Sequence, residues 1–139
     1  MTMLTGVERI EFTGHADARG ALVAIENNKD LPYEMQRIYY IYGAAGDAVR
    51  GKHAHRDLKQ TLVCIAGSCD ILLDNGRERE TVRLDRPDVG IYIHGLIWRE
   101  MMHFSPDCVL LALVDRPYDP KDYIFDYNDF RSLAEKENS

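Results

Sequence analysis

The sequence predicts an all-β fold, a small sandwich or barrel, with a short helix near its C-terminal end. Three observations lead there. Short runs rich in β-branched and aromatic residues recur along the chain, each cut by a Gly, Pro, Asn or Asp turn. Asn75-Gly76 follows one apolar run and precedes an alternating one, the strongest hairpin signal in the chain. Only the tail carries apolar residues at helical spacing.

The elements follow in order. A turn at Asp17-Ala18-Arg19-Gly20 leads into a strand over 21–26. Residues 36–42 (QRIYYIY) form an aromatic strand that Gly43 to Asp47 breaks, and 50–55 is extended. The run 60–66 (QTLVCIA) stops at Gly67-Ser68, and the sheet resumes over 69–73. Asp74-Asn75-Gly76 predicts a two-residue turn, because Asn-Gly supplies positive φ angles, with 78–84 as the return strand. Pro87 to Gly90 turns the chain into a strand over 91–94, and 108–114 (CVLLALV) is apolar enough to be buried on both faces. Pro117 to Pro120 ends the sheet, and Tyr123, Tyr127 and Phe130 form one stripe of a helix over 121–133. That stripe reads as packing, in the core or against a second subunit.

A chain of 139 residues fits one domain, 1–139, with an N-terminal strand region over 1–18 and the helix over 121–133. Hydrophobic residues at 45% and charged ones at 29% exclude a disordered or fibrous chain. No apolar run reaches the ~18 residues of a membrane span. The first residues lack the basic and apolar regions of a signal peptide. A net charge of −6 argues against an open nucleic-acid face, while leaving room for a small anionic ligand held by local Arg or Lys. Cys64, Cys69 and Cys108 are an odd count in apolar surroundings, so they read as small buried hydrophobes in a reducing cytoplasm.

The densest chemical constellation is Arg50-Gly51-Lys52-His53-Ala54-His55. In an extended segment His53 and His55 project to one face and Lys52 and Ala54 to the other. Two adjacent imidazoles can ligate a metal or act as acid and base near neutral pH.

Gly51, His53, His55 and Gly67 resemble the first motif of the cupin superfamily, small β-barrels that often hold a metal. The motif's glutamate is missing, and Gln60 is its best counterpart; the fourth ligand position, normally His, falls on Arg99. Arginine does not ligate metals, and two ligands fall short of the three that a catalytic site needs. The resemblance therefore implies a jelly-roll barrel without metal or other cofactor.

A narrower resemblance emerges from 19–26, 37–41, 50–55, 60–69 and 97–101 read together. In order and spacing these segments are similar to the sugar 3,4-ketoisomerases, relatives of the dTDP-sugar 3,5-epimerases. The similarity implies a dTDP-linked 4-keto-6-deoxyhexose substrate and a homodimer that exchanges or pairs N-terminal strands. It implies that His53 is the base that shuttles a proton between C3 and C4, and that Tyr39 relays or stabilises charge on the oxygens. His55, on the same face, fits either job or a supporting one. Arg19, Arg50, Lys52, Gln60, Tyr92 and Arg99 are the candidate substrate-binding residues, Arg being suited to bidentate contact with a diphosphate. Arg at both 19 and 99 mixes two patterns in the family, and so assigns no C4 configuration. The alternatives are a 3,5-epimerase, a metal-dependent cupin and a non-catalytic sugar-binding module.

Overall fold

Alternation decides which side chains face inward, and the strand pairings decide which of them meet. The computed structural model describes residues 3–137, so 1–2 and 138–139 of the predicted domain lie outside it. In chain order the strands are β1 (Val7–Glu11), β2 (Gly14–Asp17), β3 (Gly20–Val23), β4 (Arg37–Tyr42), β5 (Arg50–His55) and β6 (Gln60–Ala66). They continue with β7 (Cys69–Asp74), β8 (Arg79–Leu84), β9 (Val89–Ile93), β10 (Trp98–Met102) and β11 (Val109–Val114). A 3-10 turn (Pro120–Asp122), β12 (Tyr123–Ile124) and the helix α1 (Tyr127–Glu137) complete the chain.

Two five-stranded sheets, ordered β1-β9-β6-β11-β4 and β12-β5-β10-β7-β8, enclose the core between them, while β2 and β3 pair as a separate hairpin. This is the jelly-roll barrel that the sequence predicts. The inward residues of both sheets, among them Leu62, Ile71, Leu73, Ile91, Ile93, Leu110 and Ala112, form one apolar cluster. A second cluster lies on the outer face of the first sheet, where Leu31 and Tyr33 cover Val63, Tyr92 and Leu113. The Tyr33 hydroxyl bonds the Leu113 carbonyl at 2.6 Å, which satisfies its polar end in that apolar layer. No helix among the described residues is long and apolar enough to cross a membrane.

Several elements differ in detail from the prediction: the strand expected over 21–26 ends at Val23, the one expected over 91–94 already starts at Val89, and β10 is a strand that it does not include. The hairpin after β7 forms, but strand pairing ends at Asp74–Arg79, so four residues connect the strands rather than two. The Asn75 side chain accepts from the amides of Arg77 and Glu78, and the backbone N–H of Asn75 donates to the carbonyl of Glu78. This widens the turn that Gly76 (φ +91°) enters.

The helix begins six residues later than predicted and runs to Glu137. Asp126 caps it by accepting from the Asp129 amide at 3.0 Å, whereas Tyr123 and Ile124 extend along β5 instead. Phe130 and Ala134 carry the helix's buried stripe onto Trp98, Ala54 and Ile124, on the outer face of the second sheet.

One irregularity sets the site. Between Arg99 and Glu100 the β5–β10 register shifts, so that His53 opposes Arg99 while Gly51 opposes Glu100 and Lys52 is the extra residue. Gly51 (φ +81°) and Lys52 (φ +54°) both sit in the left-handed region. A Cβ on Gly51 would lie 3.0 Å from the Arg99 carbonyl oxygen. The bulge reverses parity along β5, turning Arg50 to the same side as His53 and leaving Lys52 exposed. Gly51→Ala is expected to lower unfolding stability by about 1–3 kcal/mol, the usual penalty for a side chain held in this backbone region. Urea denaturation beside wild type measures it, and an unchanged midpoint contradicts the strain argument.

Candidate active site

Cross-strand register assembles the site. On β5, His53 and His55 face into the barrel; His53 opposes Arg99 on β10, and His55 opposes Tyr123 on β12. On β4, alternation sends Arg37, Tyr39 and Ile41 inward and leaves Ile38, Tyr40 and Tyr42 exposed. Arg37, Tyr39, Ile41, Arg50, His53 and Tyr123 line a cleft of about 260 Å³, with Met101 at its inner end.

Arg99 lies behind this lining, opposite His53 on β10, and is fully buried. Its Nη1 donates to Gln60 Oε1 at 2.7 Å and its Nη2 to the Ile97 carbonyl at 2.9 Å. Burial lowers its pKa to about 10, which still leaves it charged at neutral pH. Neither of these acceptors is a carboxylate, and the Nε of Arg99, like that of Arg37, is buried without a hydrogen-bond partner. Behind His53 thus stands a cation whose hydrogen bonds all go to neutral groups, and such a site favours an anion.

Gln60 relays this charge. Its Nε2 donates to the Tyr39 hydroxyl oxygen at 2.7 Å, so the phenolic proton of Tyr39 is free to point into the cleft. Burial raises the Tyr39 pKa, with Arg99 and Gln60 pulling the other way, and the phenol is kept protonated as a donor.

The two imidazoles meet edge-on, with centroids 4.7 Å apart and planes at 84°. Burial first, then the Arg99 charge, pushes His53 down to about 4, against a smaller opposing pull from the Gly51 backbone. His55 is driven lower still by burial and by the same arginine. Its Nδ1 lies 2.9 Å from Asp122 Oδ2. That contact favours a charged ring, but the burial of both groups and the Arg99 field outweigh it, and we read the pair as a neutral imidazole donating to a carboxylate. A carboxylate only accepts, so the proton sits on Nδ1 and the lone pair on Nε2. Asp122 also accepts from the amides of Arg56 and Asp57, which fixes its position. Tyr123 packs against both rings, at 5.0 Å from His53 and 4.4 Å from His55, and Phe125 stacks behind it.

Of the residues predicted from sequence, the structure brings Tyr39, Arg50, His53, His55, Gln60 and Arg99 together. It does not bring the other three to this cleft within one chain. Lys52 is the exposed residue of the bulge. Tyr92 points outward from the first sheet, stacked between Tyr33 and His94. Arg19 lies on the β2–β3 hairpin, 90% exposed and paired with Asp17. Sequence reasoning missed Arg37, Asp122 and Tyr123. Arg37 shares the inward parity of Tyr39, a signal present in the strand pattern; Asp122 and Tyr123 lie inside the segment predicted as helix.

The same donor set does not suit a metal. The positions where the cupin motif would complete a ligand set hold the Gln60 amide and the Arg99 guanidinium, bonded to each other. A guanidinium opposite His53 repels a cation, so these residues do not fit the ion that the superfamily commonly carries.

Residues 5–135 match the family described as FdtA: WxcM-like, C-terminal. The chain belongs to that family. It is 45% identical over 129 residues to the TDP-4-oxo-6-deoxy-alpha-D-glucose-3,4-oxoisomerase of Aneurinibacillus thermoaerophilus, covering 93% of each chain. Among solved structures it resembles the 3,4-ketoisomerase QdtA of Thermoanaerobacterium thermosaccharolyticum, crystallised as a His-to-Asn variant with TDP-4-keto-6-deoxyglucose. That match has a TM-score of 0.95 and 41% identity, over 96% of this chain and 97% of the other. It also resembles the TDP-quinovose 3,4-ketoisomerase WlaRB of Campylobacter jejuni, with a TM-score of 0.89 and 41% identity over 93% and 99% of the two chains. The relatives are sugar ketoisomerases, the group that the sequence resembles.

The depressed imidazoles set the sign of a pH effect. Because folding lowers both values below the unfolded 6.5, stability is fully present above about pH 6.5 and is lost on acidification toward pH 4. Each group contributes a slope of up to ~1.4 kcal/mol per pH unit. Thermal midpoints measured from pH 7 to 4.5 are expected to fall less steeply in His53→Asn than in wild type; parallel curves would show that His53 is not held neutral.

Proposed function

We propose that this protein is a nucleotide-sugar 3,4-ketoisomerase that moves the keto group of dTDP-4-keto-6-deoxy-D-glucose from C4 to C3. The observation that carries the reading is the neutral His53 ring set directly opposite the buried Arg99 cation, beside a protonated Tyr39. The similarity to enzymes named for this chemistry supports it.

His53 takes the proton from C3, and the electron pair of that bond forms an enediolate across C3 and C4, with negative charge on the C4 oxygen. Tyr39 gives its proton to that oxygen, and the resulting phenolate takes the proton of the C3 hydroxyl as the C3 carbonyl forms. His53 then returns its proton to C4, so that protons and electrons balance without any redox partner. Arg99 and the Tyr39 hydroxyl favour the enediolate over the neutral ketone in a water-poor cleft. An anion beside Arg99 also cancels part of the field that depresses His53, raising its basicity when substrate is bound. Arg37 and Arg50 at the cleft mouth suit the diphosphate. This chemistry needs no metal, in keeping with the donor set at the cupin positions.

The reading extends to a homodimer. The β2–β3 hairpin stands as a sheet of its own, and isolated two-stranded hairpins are marginal in water. Its Leu22 is 59% exposed, and the edge strand β4 presents Ile38, Tyr40 and Tyr42 to solvent. A second copy would cover these residues and carry its Arg19 toward this cleft. The enzyme would work in the cytoplasm, a reducing compartment in which its packed thiols stay unbridged. There it would feed an aminotransferase making a 3-amino-3,6-dideoxyhexose for surface glycans such as lipopolysaccharide O-antigen.

Incubation with dTDP-4-keto-6-deoxyglucose in D2O, followed by proton NMR, tests the reaction: a 3-keto product with hydrogen retained at C5 is expected, and entry of deuterium at C5 would instead indicate a 3,5-epimerase. His53→Asn is expected to keep dTDP-sugar binding while losing ~10²–10⁴-fold or more in turnover; full activity would remove His53 as the base. Activity is expected to survive EDTA, and loss restored by iron, manganese or zinc would return the site to the metal-dependent cupins.

Light scattering is expected to give twice the 16.0 kDa chain mass. Mixing inactive Arg19→Ala and His53→Asn proteins is expected to restore activity, since one cleft of the hybrid would be intact. A monomer, or no recovery after subunit exchange, would take Arg19 out of the site.

A further inference from the structure

The chain's only three cysteines come from three different segments and converge on one point. Cys64 lies on β6, Cys69 opens β7, and Cys108 immediately precedes β11. All are buried, and their sulfurs lie within 4.8 Å of one another, with Cys64 and Cys108 at 3.6 Å. The trio occupies the end of the barrel core, packed with Met101, Phe104 and Leu110. Above it lie the turn at Gly67-Ser68 and the loop carrying Ser105 and Asp107, where Ser105 Oγ accepts from the Ser68 amide and donates to Asp107. The thiols are therefore one loop away from solvent, and the ketoisomerase reading uses none of them.

Small apolar packing accounts for a buried cysteine one at a time. It does not account for three sulfurs at ligand spacing. With metal–sulfur bonds of ~2.3 Å, three thiolates around one ion stand roughly 4 Å apart, so the site needs shifts of well under an ångström to close.

We propose that Cys64, Cys69 and Cys108 form a three-thiolate site for a soft, thiophilic cation, with Cu(I) as the ion that fits. Soft thiolates select Cu(I), zinc or iron–sulfur clusters. Structural zinc almost always takes four ligands, and among the described residues the group contains no histidine or carboxylate. Each sulfur that ligates gives its proton to solvent and no electron moves, so binding tightens as pH rises. Cys64 donates to the Ala66 carbonyl at 3.1 Å, a bond that an ion would replace. A bound ion would tie β6, β7 and the approach to β11 together at the end of the barrel away from the imidazoles.

The test uses the intact, fully reduced protein under anaerobic conditions, titrated with Cu(I) against a chromophoric Cu(I) chelator. The expected result is one Cu(I) retained per chain, an upward shift in thermal midpoint, and X-ray absorption showing three sulfurs at ~2.3 Å. Cys69→Ser and Cys108→Ser are each expected to lower affinity more than about 100-fold, beyond the ~10–100-fold that changes behind the ligands produce. Loss of all copper to the chelator, fewer than three sulfur neighbours, or equal retention by folded serine variants would overturn the proposal. If the serine variants do not fold, the sulfur count in wild type decides alone. Oxidation of Cys64 and Cys108 to a disulfide in place of metal uptake, read as a 2 Da mass loss, would also overturn it.

Discussion

A buried guanidinium whose hydrogen bonds reach only neutral acceptors is the constraint around which the rest of this protein is arranged. Arg99 is bonded to an amide oxygen and a main-chain carbonyl, and its charge is felt by His53, His55 and Tyr39. Desolvating such a cation is unfavourable unless something anionic offsets it, which here would be a ligand rather than a paired side chain. Burial, and after it this charge, keeps both imidazoles unprotonated. In the proposed reaction an anionic intermediate would meet a preset field, and its arrival would strengthen the base.

Backbone irregularity aims that field. A regular β5 would place Arg50 with Lys52 on the outer face; the bulge at Gly51-Lys52 instead puts Arg50 beside His53. The C-terminal segment supplies the other wall. Tyr123 joins β5 opposite His55, Asp122 accepts the His55 Nδ1 hydrogen bond, and α1 fastens the outer face of the same sheet through Phe130. The helix matters to the chemistry only through this fastening. It holds the strand that carries the residues in contact with the imidazoles.

Much of this was legible in the chain. Strict alternation over 37–42 is enough to put Tyr39 and Tyr40 on opposite faces, and the two-residue spacing of His53 and His55 puts both on one face. Gln60 and Arg99 stand where ligands would be, and they bond to each other in the cleft as neighbours at one site should. The misreadings have equally specific causes. Tyr123, Tyr127 and Phe130 fit a helical stripe, yet Tyr123 is claimed by pairing with His55, and the Asp126 cap starts the helix afterwards. Tyr92 looks like a cleft residue until its neighbours Ile91 and Ile93 are seen to be the inward pair on β9. No local pattern reports that Lys52 is an extra residue, because a bulge depends on the partner strand.

What the sequence determined by itself depends on near neighbours, namely strand alternation and the places where turns fall; that an amide and a guanidinium replace metal ligands is what the resemblance to the cupins implied. Tertiary structure alone decided the properties that need distant segments to meet. These are the depressed imidazoles beside Arg99, the tautomer imposed on His55 by a residue 67 positions away, and the convergence of three cysteines from separate segments. The physical reason is that parity is set by bonds along the chain, whereas burial and electric field are set by what the folded chain packs against it.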